Sequence, residues 1–314
     1  MPPTILTISS PPIISTIFFL LLLYSPSSLA AGNCFPGDKK ALLTIKYAFN
    51  NPEILANWTN ETACCDWTGV QCLDSRIISL RITGSSSLSG FLPYAIGNLP
   101  FLKTLILSDL PGLEYSIPYS ISHLTHLSTL ILSNTSLSGK IPSTLSRLGS
   151  LQLLRLSRNR LSGEIPKSFG SFDGSSPPRL DLSNNDLSGE IPAELGNIDW
   201  GFIDLSNNRL EGDASVLFGA GKNVTIMNLS SNKFRFDLSK VRFPVGLGAL
   251  FLNRNEIYGI IPAQINRLIH LIVLNLSDNQ LCGAIPAGQV TREFPKQSYL
   301  GNKCLCGAPL DLCP

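Results

Sequence analysis

The sequence predicts an α/β solenoid, a right-handed superhelix whose concave face is a parallel β-sheet and whose ends are caps stapled by disulfides. Three observations support this prediction. Two apolar residues around one outward residue, usually followed by an asparagine, recur at a spacing of about 24 residues. A stretch with helical periodicity precedes the first unit, and the eight cysteines fall into two groups that flank the repeats. The 314 residues are therefore expected to form one elongated body.

The N-terminus predicts a secretory signal peptide over residues 1–30. This stretch contains no charged side chain, carries an apolar run from Ile13 to Tyr24, and ends in the small-x-small cleavage pattern Ser28-Leu29-Ala30. Since the run is short for a bilayer span, and no other stretch approaches that length, we expect a secreted protein without a membrane span. The basic residues usual at the start of a signal peptide are missing, so an uncleaved anchor remains an alternative.

Residues 31–75 and 287–314 are predicted to be caps, because a stack of repeats otherwise exposes apolar ends to water. In the first cap Leu42, Ile45 and Phe49 have helical spacing. The cysteine clusters should lie about 40 Å apart, so disulfides can form only within each cluster, and nine pairings remain possible. Neither cluster has zinc-ligand spacing, and we expect neither metal nor cofactor. The cysteines are Cys34, Cys64, Cys65 and Cys72, and Cys282, Cys304, Cys306 and Cys313.

Residues 76–286 are predicted to form nine leucine-rich repeats. The second apolar position of each unit is occupied by Ile82, Leu107, Leu132, Leu156, Leu182, Leu205, Leu229, Leu252 and Leu276. Because side chains alternate along a strand, both apolar residues of a unit point inward and the residue between them points outward. Asparagines after the strands can satisfy the backbone of a buried bend; they are Asn159, Asn185, Asn208, Asn232, Asn255 and Asn279.

Several phrases resemble a specific family. "CCDWTGVQC" at 64–72, "LSGEIP" at 161–166, "GNIDWGFIDLSNNRLEGDASVLFG" at 196–219, "FDLSKV" at 236–241 and "NKCLCGAPLDLC" at 302–313 are together similar to plant polygalacturonase-inhibiting proteins. The resemblance implies a secreted protein of the plant cell wall that binds and inhibits endo-polygalacturonases of fungi or insects through its concave face, without being an enzyme. It also implies the pairs Cys34–Cys64, Cys65–Cys72, Cys282–Cys304 and Cys306–Cys313.

The outward residues of the strands are the candidates for contact with that partner. We expect Ile106, Ile131 and Phe251 to be exposed apolar side chains with no core to fill, and arginines to pair with carboxylates of an acidic cleft. Within the resemblance, Asp204 matches an acidic position, whereas Arg155 and Ser157 stand where acidic residues are usual. The predicted partner-binding residues are Ile131, Arg155, Ser157, Arg158, Arg179, Asp181, Asp204, Thr225, Asn228 and Phe251.

Six N-x-Ser/Thr sequons occur in the sequence, and each is a candidate for N-glycosylation in a secreted chain. We expect glycans at Asn57, Asn60, Asn134 and Asn223. Asn228 and Asn275 double as strand positions, so glycans are expected there less often.

The sequence also bears on functions other than inhibition. Asp181 and Asp204 on adjacent strands have the spacing of a retaining glycosidase, but a shallow face should desolvate neither carboxyl, which argues against catalysis. Binding of a peptide, pectin or a receptor partner without inhibition is the main alternative. An ice-binding relative would need a regular Asn/Thr array, which the outward residues lack. The net charge of +2 is too small to indicate nucleic acid.

Overall fold

The structure is a computed structural model that describes residues 34–172 and 178–313. The segment predicted to be a signal peptide lies outside the described residues. In the described part of the chain, no helix has the length and apolar character needed to cross a membrane.

Each coil contributes a short strand, a turn and a return segment. The strands are β1 (Val70–Leu73), β2 (Arg76–Thr83), β3 (Ser89–Phe91), β4 (Thr104–Tyr115), β5 (Thr129–Gly139), β6 (Leu153–Arg155), β7 (Arg160–Gly163), β8 (Arg179–Asp181), β9 (Asp186–Glu190), β10 (Phe202–Asp204), β11 (Arg209–Gly212), β12 (Ile226–Asn228), β13 (Lys233–Phe234), β14 (Ala249–Phe251), β15 (Tyr258–Gly259), β16 (Val273–Asn275), β17 (Gln280–Ala284) and β18 (Cys304–Cys306). The α-helices are α1 (Pro36–Ala48) and α2 (Gln289–Arg292).

The return segments contain short 3₁₀-helices, most of them directly after a proline. Proline suits this position because its fixed φ matches the extended residue before a helix and its missing N–H is not needed there. Among the described residues these helices are Glu53–Leu55, Cys64–Asp66, Tyr94–Asn98, Tyr119–His123, Ser143–Arg147, Lys167–Ser171, Ala193–Asn197, Ser215–Leu217, Leu238–Lys240, Ala263–Arg267 and Lys296–Ser298.

The concave face is one parallel sheet whose order follows the chain. Within the described residues its nine parallel strands are β2, β4, β5, β6, β8, β10, β12, β14 and β16, and β1 pairs antiparallel with β2 at the N-terminal edge. Equivalent residues of successive coils lie side by side; Arg155, Asp181, Asp204 and Asn228 are one such row. The predicted fold class is confirmed by this sheet.

The core is a continuous column of leucine and isoleucine side chains. Both apolar residues of each strand point into it, and pairs such as Leu105 and Leu107 are fully buried. Asparagines at the end of the strands line one side of this core. The Asn208 Nδ2 group donates to the carbonyl oxygens of Leu182, Leu205 and Ser206, and its Oδ1 accepts the N–H of Leu187. One side chain therefore satisfies the backbone of two coils.

The N-terminal cap packs α1 over the first coil. Leu42, Ile45 and Phe49 are fully buried, as their spacing predicts. Asp38 is also buried; its two carboxylate oxygens accept hydrogen bonds from Arg76 at 2.9 and 3.0 Å, and one accepts the backbone N–H of Ile77. This pairing compensates the cost of burying the charge.

The C-terminal cap continues the repeat pattern for part of one more coil. Leu276 donates its N–H to Ser298, and Asn302 donates to the carbonyls of Leu276 and Tyr299, as the interior asparagines do. Tyr299 takes the place of a core leucine, and burial raises the pKa of its phenol to about 12. Asn302 was not among the predicted asparagines. The sequence could have identified it from its place in "YLGNKC" after the ninth unit.

All eight cysteines form disulfides within their own cluster. The pairs are Cys34–Cys64, Cys65–Cys72, Cys282–Cys304 and Cys306–Cys313, with Cα–Cα distances of 5.7, 5.5, 4.3 and 5.0 Å respectively. These are the pairs that the family resemblance implies. Each closes a short loop over an end of the stack, which is where a solenoid would otherwise open.

Two coils depart from the turn pattern of the others, and the seventh, with Phe236 at the glycine position, has no positive φ there. Most units place a glycine with positive φ before the Ile-Pro segment, for example Gly139 at +79° and Gly163 at +81°. The second unit has Tyr115 there, at φ +69°. The register confirms the equivalence, because Tyr115 pairs with Leu137 as Gly139 pairs with Leu161. A left-handed conformation costs a non-glycine residue about 1–2 kcal/mol.

Candidate functional site

The centre of the concave sheet holds a row of four polar side chains that interact in two pairs, Arg155 with Asp181 and Asp204 with Asn228. Arg155, Asp181, Asp204 and Asn228 occupy equivalent positions of β6, β8, β10 and β12 and are neighbours in register. We call this row, with its equivalents on the other strands, the strand-centre column. Its remaining members are Arg81, Ile106, Ile131, Phe251 and Asn275.

Each acidic or amide member of the column caps the end of its own strand. The Oδ1 atom of Asp204 accepts both the N–H of Ser206 at 2.9 Å and its hydroxyl at 2.6 Å. Asp181 bonds Ser183 in the same way, and Asn228 bonds Ser230. The repeated Asp/Asn-x-Ser pattern is therefore a local turn motif, in which a short polar side chain satisfies the backbone two residues later.

The second oxygen of each carboxylate links neighbouring coils. Asp181 Oδ2 accepts the hydroxyl of Ser157 at 3.0 Å, and Asp204 Oδ2 accepts the Nδ2 group of Asn228 at 3.1 Å. Arg155 Nε lies 3.0 Å from Asp181 Oδ2, but its N–H is not aimed at that oxygen, so the contact is an ion pair rather than an aligned hydrogen bond. The column is thus preorganised before any partner arrives.

Burial separates the two aspartates from ordinary surface carboxylates. Asp181 is buried, and Asp204 is half-buried. Burial raises the pKa of Asp204, the Ser206 hydrogen bonds oppose that rise, and the nearby charge of Asp181 adds to it. The expectation that a shallow concave face desolvates neither carboxyl is therefore wrong for Asp204. The side chains of the adjacent coils, and not a deep cleft, remove the water.

A polar groove of 560 Å³ brings six of the predicted residues together. They are Arg155, Ser157, Arg158, Asp181, Asp204 and Asn228. The groove also contains residues that were not among the predicted ones, namely Asp109, Ser133, Asn134, Ser183, Asn184, Ser206 and Asn207. The sequence could have identified these residues, because they occupy the same few positions after each strand in phrases such as "LDLSNN" and "IDLSNN".

The other four predicted residues lie outside the groove. Ile131 and Phe251 belong to the strand-centre column but flank the polar centre on either side. Arg179 is the first residue of β8 and Thr225 directly precedes β12. The Arg179 guanidinium lies over the Phe202 ring, 5.0 Å from its centroid. The structure therefore divides the ten candidates between a polar groove and its surroundings.

A second row of side chains faces the same side as the column, two residues earlier on each strand. Leu153, Arg179, Phe202, Ile226 and Val273 belong to this row, which we call the strand-start row. Apolar members such as Ile226 and Val273 are exposed. Alternation along the strand could have identified them, because residues i and i+2 share a face.

Ile106 does not behave as its position predicts. It was expected to be exposed, but only 8% of its surface is accessible. Its register neighbours are Arg81 and Ile131 on the adjacent strands, and strands lie about 4.8 Å apart, so long side chains on both sides cover it. Ile131 is half-buried for the same reason and Phe251 is half-buried as well.

The sequons differ in what their side chains do. Asn57, Asn60, Asn134 and Asn223 are exposed, although the Nδ2 groups of Asn134 and Asn223 donate to Asp109 and Asp199. By contrast Asn228 is half-buried and bonds Asp204 and Ser230, which opposes glycan transfer to its Nδ2 atom. Among the described residues, no cluster of three or more His, Cys, Asp or Glu side chains could hold a metal ion.

Family models match at both the cap and the repeats. A model described as Leucine rich repeat N-terminal domain matches residues 35–73. The Leucine Rich Repeat model matches residues 126–148, 150–172, 179–198 and 270–288.

Full-length relatives extend this similarity over nearly the whole chain. Polygalacturonase inhibitor 2 of Arabidopsis thaliana is 44% identical, and the match covers 95% of this chain and 98% of the relative. The polygalacturonase inhibitor of Vitis vinifera is 45% identical, with coverage of 95% and 97%. Among solved structures, a plant ice-binding protein is similar with a TM-score of 0.75 and 40% identity, over 90% of this chain and 99% of that one.

Proposed function

Because the chain belongs to the polygalacturonase inhibitor family of leucine-rich repeat proteins, we propose that it binds an endo-polygalacturonase of fungi or insects through its concave face and blocks the substrate cleft. The preorganised polar groove around Arg155 and Asp181 is the observation that carries this proposal. The disulfide-stapled caps and the predicted signal peptide favour secretion, and we place the protein in the plant cell wall.

The charges of the groove suit such a partner. An enzyme that hydrolyses a polyanionic glycan needs carboxylates for the chemistry and cations to hold the substrate. The groove offers groups of both signs, with the exposed Arg158 and the half-buried Arg155 for carboxylates and the half-buried Asp204 for cations. Arginine is well suited to the first task because its planar fork can bind a carboxylate through two hydrogen bonds.

The surroundings of the groove supply apolar contact area. Phe202, Ile226 and Phe251 lie beside the polar centre on the same face. Arginine and aromatic residues near the middle of an interface contribute most binding energy, and preorganised side chains lose less entropy on binding. Nine strands at about 4.8 Å extend about 40 Å, enough for an interface of about 800 Å² per partner.

The test is inhibition of a panel of fungal and insect endo-polygalacturonases. We expect Arg155→Glu to weaken binding at least about fivefold, equivalent to about 1 kcal/mol, and Arg155→Gln to weaken it less. Lys167→Glu is the matched control, because Lys167 is exposed on a 3₁₀-helix of the return segment. The proposal fails if no enzyme of the panel binds, or if the Arg155 and Lys167 variants behave alike.

The protein is not an enzyme. This agrees with its relatives, which match nearly the whole chain and are named inhibitors. Asp181 and Asp204 have their oxygens engaged by serine, asparagine and arginine side chains, so their proximity serves the turn motif. Purified protein should release no reducing sugar from polygalacturonate. Release that Asp181→Asn abolishes would contradict this assignment.

Recognition without inhibition is the alternative if the panel is negative. A peptide, pectin or a receptor ectodomain could contact the same groove. Ice binding, the activity for which the similar solved structure is named, is not favoured for this chain, because the strand-centre column alternates Arg, Ile, Asp, Asn and Phe without a regular array.

A further inference from the structure

A cluster of exposed aromatic side chains lies near the N-terminal end of the solenoid, away from the concave groove. Phe91, Tyr94, Tyr115 and Tyr119 belong to two successive coils, and their exposed fractions are 48%, 65%, 64% and 58%. The Tyr94 and Tyr119 rings are in contact, with centroids 5.1 Å apart. We call these four residues the aromatic patch.

The patch borders a groove of 390 Å³ with a uniform chemical character. Its lining consists of Phe91, Leu92, Pro93, Tyr94, Tyr115, Ser116 and Pro118. None of these residues is acidic or basic. The groove therefore has apolar walls with phenol and serine hydroxyls, in contrast to the concave groove, whose lining is entirely polar.

Tyr115 gives the patch a significance that exposure alone would not. It occupies the turn position where neighbouring units have glycine, and it has a left-handed backbone there. Its side chain is largely exposed, so core packing does not compensate the strain. An exposed aromatic residue in a glycine position indicates a role outside folding, since strained positions that packing does not explain are typical of binding sites.

We propose that the aromatic patch binds a neutral β-1,4-linked glucan chain. In such a chain every ring hydroxyl is equatorial, so each sugar has two faces of C–H groups that can stack on Tyr and Phe rings. The equatorial hydroxyls can bond the phenol and Ser116 groups at the rim. The absence of cationic side chains from the lining disfavours an anionic chain such as polygalacturonate. The site is independent of the concave groove and of inhibition.

Tyr115→Gly is the informative variant. It removes the ring but restores the residue that other units carry at this turn, so the fold should be retained. Binding of cellohexaose to the full secreted protein would be measured by calorimetry, with hexagalacturonate as the anionic probe. We expect wild type to bind cellohexaose in preference to hexagalacturonate, and Tyr115→Gly and Tyr94→Ala each to weaken binding at least about tenfold.

Tyr258→Ala is the matched control, because Tyr258 is an exposed tyrosine on β15, outside the patch, and should bind as wild type does. If Tyr115→Gly fails to fold, Tyr94→Ala decides the question. The proposal is overturned if wild type does not bind cellohexaose, if hexagalacturonate binds better, or if the patch variants match wild type. A dimer that light scattering detects and Tyr115→Gly dissociates would overturn it too, by assigning the patch to self-association.

Discussion

Two rows of Asp and Asn side chains run along the same coils, one in the interior and one on the concave face. In the interior row, Asn185 and Asn208 bond only to the backbone, through Nδ2 to carbonyls and through Oδ1 to an N–H of the previous coil, whereas the Oδ1 atom of Asn159 accepts the Thr135 hydroxyl. In the strand-centre column, an acidic side chain accepts a backbone N–H of its own coil with one carboxylate oxygen and contacts a neighbouring side chain with the other. Asp204, for example, accepts from Ser206 with Oδ1 and from Asn228 with Oδ2.

The difference shows how the solenoid separates stability from recognition. An interior amide is fixed by backbone groups of two coils, so a side chain that has only a donor or only an acceptor cannot replace it. A column residue depends on the side chain beside it, so its charge and size can change while the sheet stays intact. Thus Ile131, Arg155 and Phe251 can occupy equivalent positions.

The largest expected effect comes from removing an interior amide. Asn208→Ala leaves the N–H of Leu187 without its partner. It also removes one of two hydrogen bonds from each of the carbonyls of Leu182 and Leu205, which keep the Nδ2 groups of Asn185 and Asn232. An unpaired buried N–H costs about 1–3 kcal/mol and each lost hydrogen bond about 0.5–1.5 kcal/mol, so we expect a loss of about 3 kcal/mol in the free energy of unfolding, measured by denaturant titration with disulfides intact. The neighbouring Asn207→Gly is the control, because Asn207 is exposed with positive φ and should change stability by less than about 1 kcal/mol. Equal losses would contradict the structural role of the interior row.

A column residue should have a smaller effect. Asn228→Ala removes the bonds to Ser230 and to Asp204, but the groups left behind lie next to the open groove and can bond water. We therefore expect a loss of about 1 kcal/mol in the same titration. A loss as large as that of Asn208→Ala would show that the column also holds the fold together.

The ionisation of Asp204 in the strand-centre column should make the stability of the protein depend on pH. Burial raises its folded-state pKa above the ordinary 3.8, so its contribution to stability is full below that value and is lost as pH rises through the folded pKa. Asp204→Asn removes this contribution, and the stability of the variant relative to wild type should therefore rise with pH across that window. This difference would be measured from the melting temperatures of wild type and variant between about pH 3 and pH 7.

Asp237→Asn is the control, because its effect on stability should change with pH in the opposite direction. The Ser239 hydroxyl bonds the Asp237 carboxylate and lowers its pKa, so its stabilising contribution is present above the unfolded value and is lost as pH falls through the folded pKa. The stability of this variant relative to wild type should therefore fall with rising pH. If both differences have the same sign, the burial of Asp204 does not control its ionisation.

Local sequence patterns were sufficient for the architecture. Spacing and alternation identified the strands of Leu105 and Leu107 and the buried face of α1, because each depends on residues close in the chain. The interior asparagines were also identified, except Asn302, because each follows its strand at the same distance. The disulfide pairs required the family resemblance, since cluster geometry alone allowed nine arrangements.

Tertiary structure decided what local spacing cannot express. The neighbour of a column residue lies about 24 positions away, on the next coil, and its size sets the exposure of that residue. For this reason Ile106 is buried although it points outward, and Asp204 is desolvated on a shallow face. The same lateral packing brings Tyr115 beside Phe91 and Tyr94. Spacing along the chain was enough to establish the repeating frame, whereas contacts between adjacent coils decided the surface that this frame presents.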